Sequence, residues 1–158
     1  MTAKVVEKRA RELFDSGFRC AESVLLAVAE HAGIQSPLIP KISTGFCGGM
    51  SRSKRVCGAV TGGVMALGMI LGRTSVDMPV DDIYGKVQEF LSTFENKYGS
   101  SNCFDLTGCD FDVAIDIQRW KESGIANKCK EFTCAAACMV TEIIDGDSAD
   151  QVKSTLVG

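Results

Sequence analysis

The segment that most restricts the fold is an uncharged, glycine-rich run at residues 56–71, VCGAVTGGVMALGMIL. It is shorter than the roughly 20 apolar residues that a helix needs to cross a bilayer, and Arg55 and Arg73 lie close to its two ends. We therefore predict a buried central helix rather than a membrane span. Each glycine inside a helix costs about 1 kcal/mol relative to alanine, so this run indicates close packing of neighbouring helices or a cofactor beside it. Its glycines are Gly58, Gly62, Gly63 and Gly68, and Gly72 follows its last residue.

Helical periodicity also dominates the rest of the chain. Apolar residues recur every three to four positions, and no convincing strand pattern, internal repeat or low-complexity linker is present. A length of 158 residues is usual for one domain. We therefore predict a single all-α domain over residues 1–158, a bundle of about six to eight helices. The predicted helices are one that starts near residue 5 and closes at Gly17, then 20–31, 37–44, 57–71, 81–98, 112–123, 127–144 and a last short one at 149–156, with loops at 45–52 and 100–110.

The charge of the chain excludes several classes of partner. The net charge of −3 offers no broad attraction for nucleic acid or anionic lipid. The one basic cluster, Arg52, Lys54 and Arg55, is short, so we expect neither a nucleic-acid partner nor membrane insertion. The N-terminal residues carry charges and lack the apolar stretch of a secretory signal. We therefore expect a cytoplasmic protein.

Cysteine is the outlier of the composition, with eight in 158 residues. In a reducing cytoplasm, many cysteines indicate metal ligation or redox chemistry more often than structural disulfides. Cys20, Cys57 and Cys129 lie at or near predicted helix N-termini, where the partial positive charge of the helix favours a thiolate. This placement indicates a common anionic centre.

The spacing of the cysteines excludes the usual paired motifs. No C-x-x-C occurs, which argues against a thioredoxin-like dithiol, a Cys₄ zinc knuckle and the cysteine run of bacterial ferredoxins. What remains is a centre assembled from cysteines on separate helices and loops. An iron–sulfur cluster fits that description because it needs only four thiolates close together in space. A redox disulfide between two elements fits it equally.

The remaining cysteines and the histidine add further expectations. Cys103 and Cys109 share a predicted loop, and a cysteine in such a loop is less suited to filling a core, so we expect a functional role for Cys103. Cys134 and Cys138 lie one helical turn apart with three alanines between them. That pattern favours small buried thiols at a tight helix contact, the alternative being a second thiol pair or extra ligands. Since His31 is the only histidine, His-based zinc catalysis and a Ser-His-Asp triad have little support.

Five short motifs together resemble those of a known family. They are Cys20-Ala21-Glu22-Ser23-Val24, Gly45-Phe46-Cys47-Gly48-Gly49-Met50, Cys57-Gly58-Ala59-Val60-Thr61-Gly62, Asn102-Cys103 and Lys128-Cys129. In this company they resemble the redox-active protein family named for its C, GCAxxG, C, C signature, over about residues 5–145. The four signature cysteines carry over as Cys20, Cys57, Cys103 and Cys129. The resemblance implies redox activity, an iron–sulfur cluster as the cofactor of these cysteines, and an oxidoreductase as redox partner.

Three functions are consistent with these residues. The first is electron transfer through a cluster held by the signature cysteines. The second is a thiol–disulfide protein or redox sensor without metal, in which Cys57 is the catalytic nucleophile and the basic cluster and the helix N-terminus lower its pKa. The third is a structural zinc-binding scaffold. The signature does not include Cys47, Cys109, Cys134 and Cys138.

Two further expectations concern how the protein is prepared and assembled. Exposed thiolates oxidise readily, so we expect that protein purified in air can lack a cluster. The flat, glycine-lined helix faces favour a homodimer.

Overall fold

The computed structural model describes the backbone of residues 2–156 and the side chains of residues 2–147. The helices are α1 (Ala3–Asp15), α2 (Cys20–His31), the 3₁₀ helix η1 (Lys41–Phe46), α3 (Cys47–Arg52), α4 (Gly58–Leu71), α5 (Asp81–Tyr98), α6 (Cys103–Thr107), α7 (Ala114–Glu122) and α8 (Ile125–Leu156). Within this part of the chain, strand-like pairing is limited to one isolated antiparallel bridge between Val56 and Asn102. The prediction of an all-α fold is therefore confirmed.

The glycine-rich helix α4 lies at the centre of a bundle. It packs against α2, α5 and α8, and α1 covers α2 and α8. The core between these helices contains fully buried side chains such as Val24, Leu67, Phe90 and Val140. The prediction of a buried central helix is confirmed. Among the described residues, no helix combines the length and the apolar character that crossing a membrane requires.

Close packing explains three of the glycines in α4. A Cβ atom added at Gly62 would lie 2.8 Å from the carbonyl oxygen of Ala21 in α2, and one at Gly63 would lie 2.5 Å from the ring of Phe90 in α5. A Cβ at Gly58 would meet the Cys20 sulfur. The cost of these glycines in helix propensity is thus offset by the approach of neighbouring helices.

The segment predicted as a loop at residues 45–52 is instead a tight, left-handed turn. It follows the 3₁₀ helix η1, which occupies residues 41–46 rather than the predicted 37–44. In α3 the backbone φ angles are positive at Gly48 (65°), Gly49 (67°), Met50 (66°) and Ser51 (52°). Left-handed backbone costs a residue other than glycine about 1–2 kcal/mol, so α3 is strained at Met50, at Ser51 and at Arg52, whose φ is 69°. The turn is closed by a hydrogen bond from the Arg55 amide to the Gly49 carbonyl, 3.0 Å.

Other boundaries also differ from the sequence prediction. The predicted loop at residues 100–110 contains α6, because the Asn102 side chain accepts hydrogen bonds from the amides of Phe104 and Asp105 and caps a new helix. Helix α8 continues through the break predicted between residues 144 and 149. It also starts two residues before the predicted start at residue 127, and this moves Cys129 beyond its first turn.

Candidate functional site

Five of the eight cysteines line one cavity of about 400 Å³. Four of them are the signature cysteines, and the fifth is Cys47. They come from distant parts of the chain, namely the starts of α2, α3, α4 and α6 and the N-terminal part of α8. The fold therefore brings together all four residues predicted for the site, and it adds a thiol that the sequence analysis left without a role.

Short backbone contacts hold Cys57 and Cys103 side by side. The Cys57 amide donates to the carbonyl of Ser101, 2.8 Å, and the Cys103 amide donates to the carbonyl of Arg55, 2.8 Å. The Asn102 side chain reinforces the bridge by donating to the Lys54 carbonyl, 3.0 Å. The segment before α4 and the segment before α6 are thus joined at the cavity.

Three signature cysteines occupy helix starts, but not the three that the sequence predicts. Cys20 is the first residue of α2, Cys57 is the N-cap of α4, and Cys103 is the first residue of α6. The prediction of Cys129 in a first helical turn is wrong, because α8 begins at Ile125 and Cys129 is already within the helix. Its sulfur instead accepts a hydrogen bond from Nε1 of Trp120, 3.3 Å.

Trp120 is a residue of the cavity wall that the sequence analysis missed. Its ring packs edge-on against Phe111, with 6.2 Å between centroids, and the guanidinium of Arg19 lies 5.7 Å from its centroid. No motif connects Trp120 with Cys129, since the two belong to different helices, α7 and α8. Only the folded arrangement places the indole N–H on this sulfur.

Two motif glycines make room for the sulfur atoms. A Cβ at Gly49 would lie 2.5 Å from Cys103 Cβ and 3.1 Å from Cys103 Sγ. A Cβ at Gly58 would overlap Cys20 Sγ and lie 3.2 Å from Cys47 Cα. The glycines of the Gly-Gly-Met and Cys-Gly-Ala elements therefore admit thiols that arrive from other helices.

The charged side chains that line the cavity are all basic. They are Arg19, Arg52 and Lys121, and among the side chains of residues 2–147 no aspartate or glutamate lines the cavity. Lys54 points elsewhere, with its Nζ atom 2.7 Å from Oδ2 of Asp110. The cavity wall thus favours bound negative charge.

Burial makes the innermost thiols hard to ionise. It raises the pKa of Cys57 to about 12, although the amides of Ala59 and Val60 at the start of α4 oppose this effect. Burial likewise raises the pKa of Cys103 to about 11. It also raises the pKa of Cys129, against the lowering effect of the Trp120 N–H. These thiols are therefore protonated at neutral pH unless a cation or a cluster binds them.

The prediction of a low pKa at Cys57 is wrong for this structure. The residue is only 6% exposed, and desolvation outweighs the helix N-terminus. The basic cluster does not compensate, since none of its side chains is among the main influences on this pKa, and Lys54 is paired with Asp110. Cys57 is therefore not poised as a free thiolate nucleophile.

The three other cysteines lie outside the cavity. Cys109 is buried next to Arg119, whose guanidinium donates to its sulfur at 3.6 Å. Cys134 and Cys138 are buried where α8 packs on α1, as expected for thiols at a tight helix contact. The single histidine, His31, also lies away from the cavity and forms a contact with Asp145, Nε2 to Oδ1, of 3.0 Å.

The spacing of the thiols bears on what they can bind. Among the side chains that the structure describes, residues 2–147, no three of the cysteine, histidine, aspartate and glutamate side chains converge on a point where one metal ion could sit. The thiols therefore surround an open cavity, and they do not form a set of donors around one metal ion.

Comparison with known proteins agrees with the cysteine pattern. Residues 18–143 match the family described as "Putative redox-active protein (C_GCAxxG_C_C)". An uncharacterized protein of Archaeoglobus fulgidus is 29% identical over 143 residues, which cover 85% of this chain and 94% of that protein. No solved structure matches the chain.

Proposed function

The chain belongs to the C_GCAxxG_C_C family of redox-active proteins, and on that premise we propose that it transfers electrons through an iron–sulfur cluster. The proposed ligands are the four signature cysteines, Cys20, Cys57, Cys103 and Cys129. The observation that carries the proposal is that these four thiols, from four separate elements, line one cavity.

The donor set suits a cluster better than a single ion. Four cysteine thiolates are the usual ligands of iron–sulfur clusters. A bound cluster would distribute them over more than one iron, so the sulfurs need not converge on a single point. A structural zinc site needs four donors at about 2.0–2.3 Å from one ion. The described side chains, residues 2–147, do not offer that convergence.

The electrostatics of the cavity also favour an anionic group. Iron–sulfur centres with four thiolates carry net negative charge, which the basic side chains of Arg19, Arg52 and Lys121 would balance. The N-termini of α2 and α4 face the same space through Cys20 and Cys57. A bound cluster would supply one-electron oxidation and reduction at this place.

Residues of the chain would tune that chemistry. The Trp120 N–H donates to Cys129 Sγ, and hydrogen bonds to ligand sulfurs are one determinant of the reduction potential. Cys20 and Cys129 are partly exposed, which leaves a short path from the cavity to a docked partner. We propose an oxidoreductase as that partner and the reducing cytoplasm, which suits eight free thiols, as the location.

Anaerobic reconstitution tests the proposal directly. Protein treated with ferrous iron and sulfide should retain both after desalting and should develop visible absorption that a one-electron reductant such as dithionite bleaches. Retention of zinc in preference to iron, or protein that stays colourless with its helical structure intact, would contradict it.

A further inference from the structure

Cys47 is the one cavity thiol outside the signature, and its surroundings are specific. It begins the left-handed turn α3, and its Sγ lies 3.7 Å from the Ser43 carbonyl oxygen. The Cys20 thiol and burial raise the pKa of Cys47, and the amides of Ala21 and Glu22, in the first turn of α2, oppose this rise. Cys47 is thus placed against the start of the helix on which Cys20 is the first residue.

The Cys47 and Cys20 side chains are immediate neighbours. The position that a Cβ atom of Gly58 would occupy overlaps Cys20 Sγ and is 3.2 Å from Cys47 Cα. Interaction with the Cys20 thiol is the strongest influence on the pKa of Cys47, which it raises. Only a glycine at position 58 leaves space for both residues at this point.

Exposure separates this pair from the other thiols of the cavity. Cys20 and Cys47 are both partly exposed, whereas Cys57 and Cys103 are buried. Cys129 is partly exposed, but its sulfur is held by the Trp120 indole. A small oxidant that enters the cavity therefore meets two accessible thiols side by side.

We propose that Cys20 and Cys47 form a second redox site, a dithiol that a small-molecule disulfide oxidises to a Cys20–Cys47 disulfide. One cysteine, as thiolate, attacks the disulfide, which forms a mixed disulfide and releases one small thiolate. The other cysteine then attacks the mixed disulfide and releases the second. In total the two protein thiols lose two protons and two electrons, and the small disulfide is reduced to two thiols.

This reaction would also control the proposed cluster. A Cys20–Cys47 disulfide withdraws Cys20 from the four ligands, so oxidation and cluster binding compete for one sulfur. That competition rests on the proposed function, whereas the disulfide itself does not.

The test is peptide mapping of protein treated with oxidised glutathione under argon, followed by alkylation and tryptic digestion without reduction. Cleavage after Arg19, Lys41 and Arg52 places the two cysteines on separate peptides, residues 20–41 and 42–52. We expect these two peptides to appear as one linked species, two of the eight thiols to be lost to alkylation, and dithiothreitol to restore them. Linkage of other cysteines, or full alkylation of both peptides, overturns the proposal.

Variants separate this site from the cluster. Cys47→Ser should abolish the linked peptide and still take up iron and sulfide, whereas Cys138→Ser, a substitution outside the cavity, should change neither result. Oxidation before reconstitution should prevent iron uptake in wild type, and removal of the disulfide with dithiothreitol before reconstitution should restore it. Linked peptides in protein that never binds iron would support the dithiol and would count against the proposed cluster alone.

Discussion

A hydrogen bond from an indole N–H acts on the Cys129 sulfur. The sulfur accepts from the indole of Trp120, which lowers a pKa that burial raises. The sequence could not predict this contact, because it joins two helices whose relative placement depends on the whole bundle. It could predict Cys20 and Cys57 at helix starts, since each follows a break in the apolar periodicity and precedes a long helical pattern.

Replacement of Trp120 tests this bond. Trp120→Phe keeps an aromatic ring and removes the N–H, so the pKa of the Cys129 thiol should rise. A hydrogen bond to a charged group contributes about 1.5 kcal/mol or more, which corresponds to about a tenfold change in an equilibrium such as thiol ionisation. Below that pKa, Cys129 should therefore be alkylated about 10-fold more slowly, as measured by mass spectrometry of protein prepared without iron. The rate at Cys134, outside the cavity, serves as the internal control, and an unchanged rate at Cys129 would show that the indole does not govern this thiol.

At the scale of elements, contacts between distant segments determine turn conformations that local periodicity does not predict. The bounds of α5 agree with the prediction of residues 81–98 because its apolar face is strongly periodic and Gly99 adopts the left-handed conformation that ends a helix. The left-handed turn α3 could not be predicted, because nothing in the local sequence favours positive φ at Met50 or Ser51. Its shape is explained by Gly49, which packs on Cys103 from a distant part of the chain.

Two glycines of α4 provide a matched test of helix packing. Gly62→Ala puts a methyl group 2.8 Å from the Ala21 carbonyl oxygen, and such overpacking should lower the free energy of unfolding by about 1–3 kcal/mol. Gly68→Ala meets no atom within 4 Å and should raise it by about 0.5–1 kcal/mol through helix propensity. Chemical denaturation of the two variants measures both changes. Equal stabilisation by both alanines would be incompatible with close contact between α2 and α4.

On the scale of the whole molecule, the buried thiols make stability depend on pH. The pKa of Cys57 is about 12 in the folded chain and 9.0 as the ordinary value. Between these values the folded protein keeps a proton that the unfolded chain has lost, so the stabilising effect is fully present below pH 9 and is lost as the pH rises towards 12.

The expected size of this effect follows from the linkage relation. Protein without bound iron should lose about 1.4 kcal/mol of unfolding free energy per pH unit for each such thiol as the pH rises above 9. Denaturation curves at pH 8, 9 and 10 measure the slope, and Cys57→Ala should reduce it by the contribution of one thiol. If Cys57→Ala leaves the slope unchanged, the pKa of the Cys57 thiol is the same in the folded and the unfolded chain.

The whole fold is needed to assemble the cavity. The four signature cysteines are separated by long stretches of sequence. Their predicted positions at helix starts indicate a common centre for Cys20, Cys57 and Cys129, and the resemblance to a family adds Cys103. The participation of Cys47, Arg19 and Trp120 could not be predicted, because each reaches the cavity through tertiary packing. The central claim is accordingly that these separate elements form one centre.

The most direct test of that claim is to measure iron and acid-labile sulfide in two variants, Cys57→Ser and Cys134→Ser. Each variant is reconstituted anaerobically beside wild type. Cys57 is a buried thiol of the cavity, and Cys134 is a buried thiol at the contact between α1 and α8, so the pair controls for the loss of a buried sulfur. We predict that Cys57→Ser loses the iron, the sulfide and the visible absorption, whereas Cys134→Ser keeps all three. Full retention by Cys57→Ser, or equal loss in both variants, would contradict a single centre built on the signature cysteines.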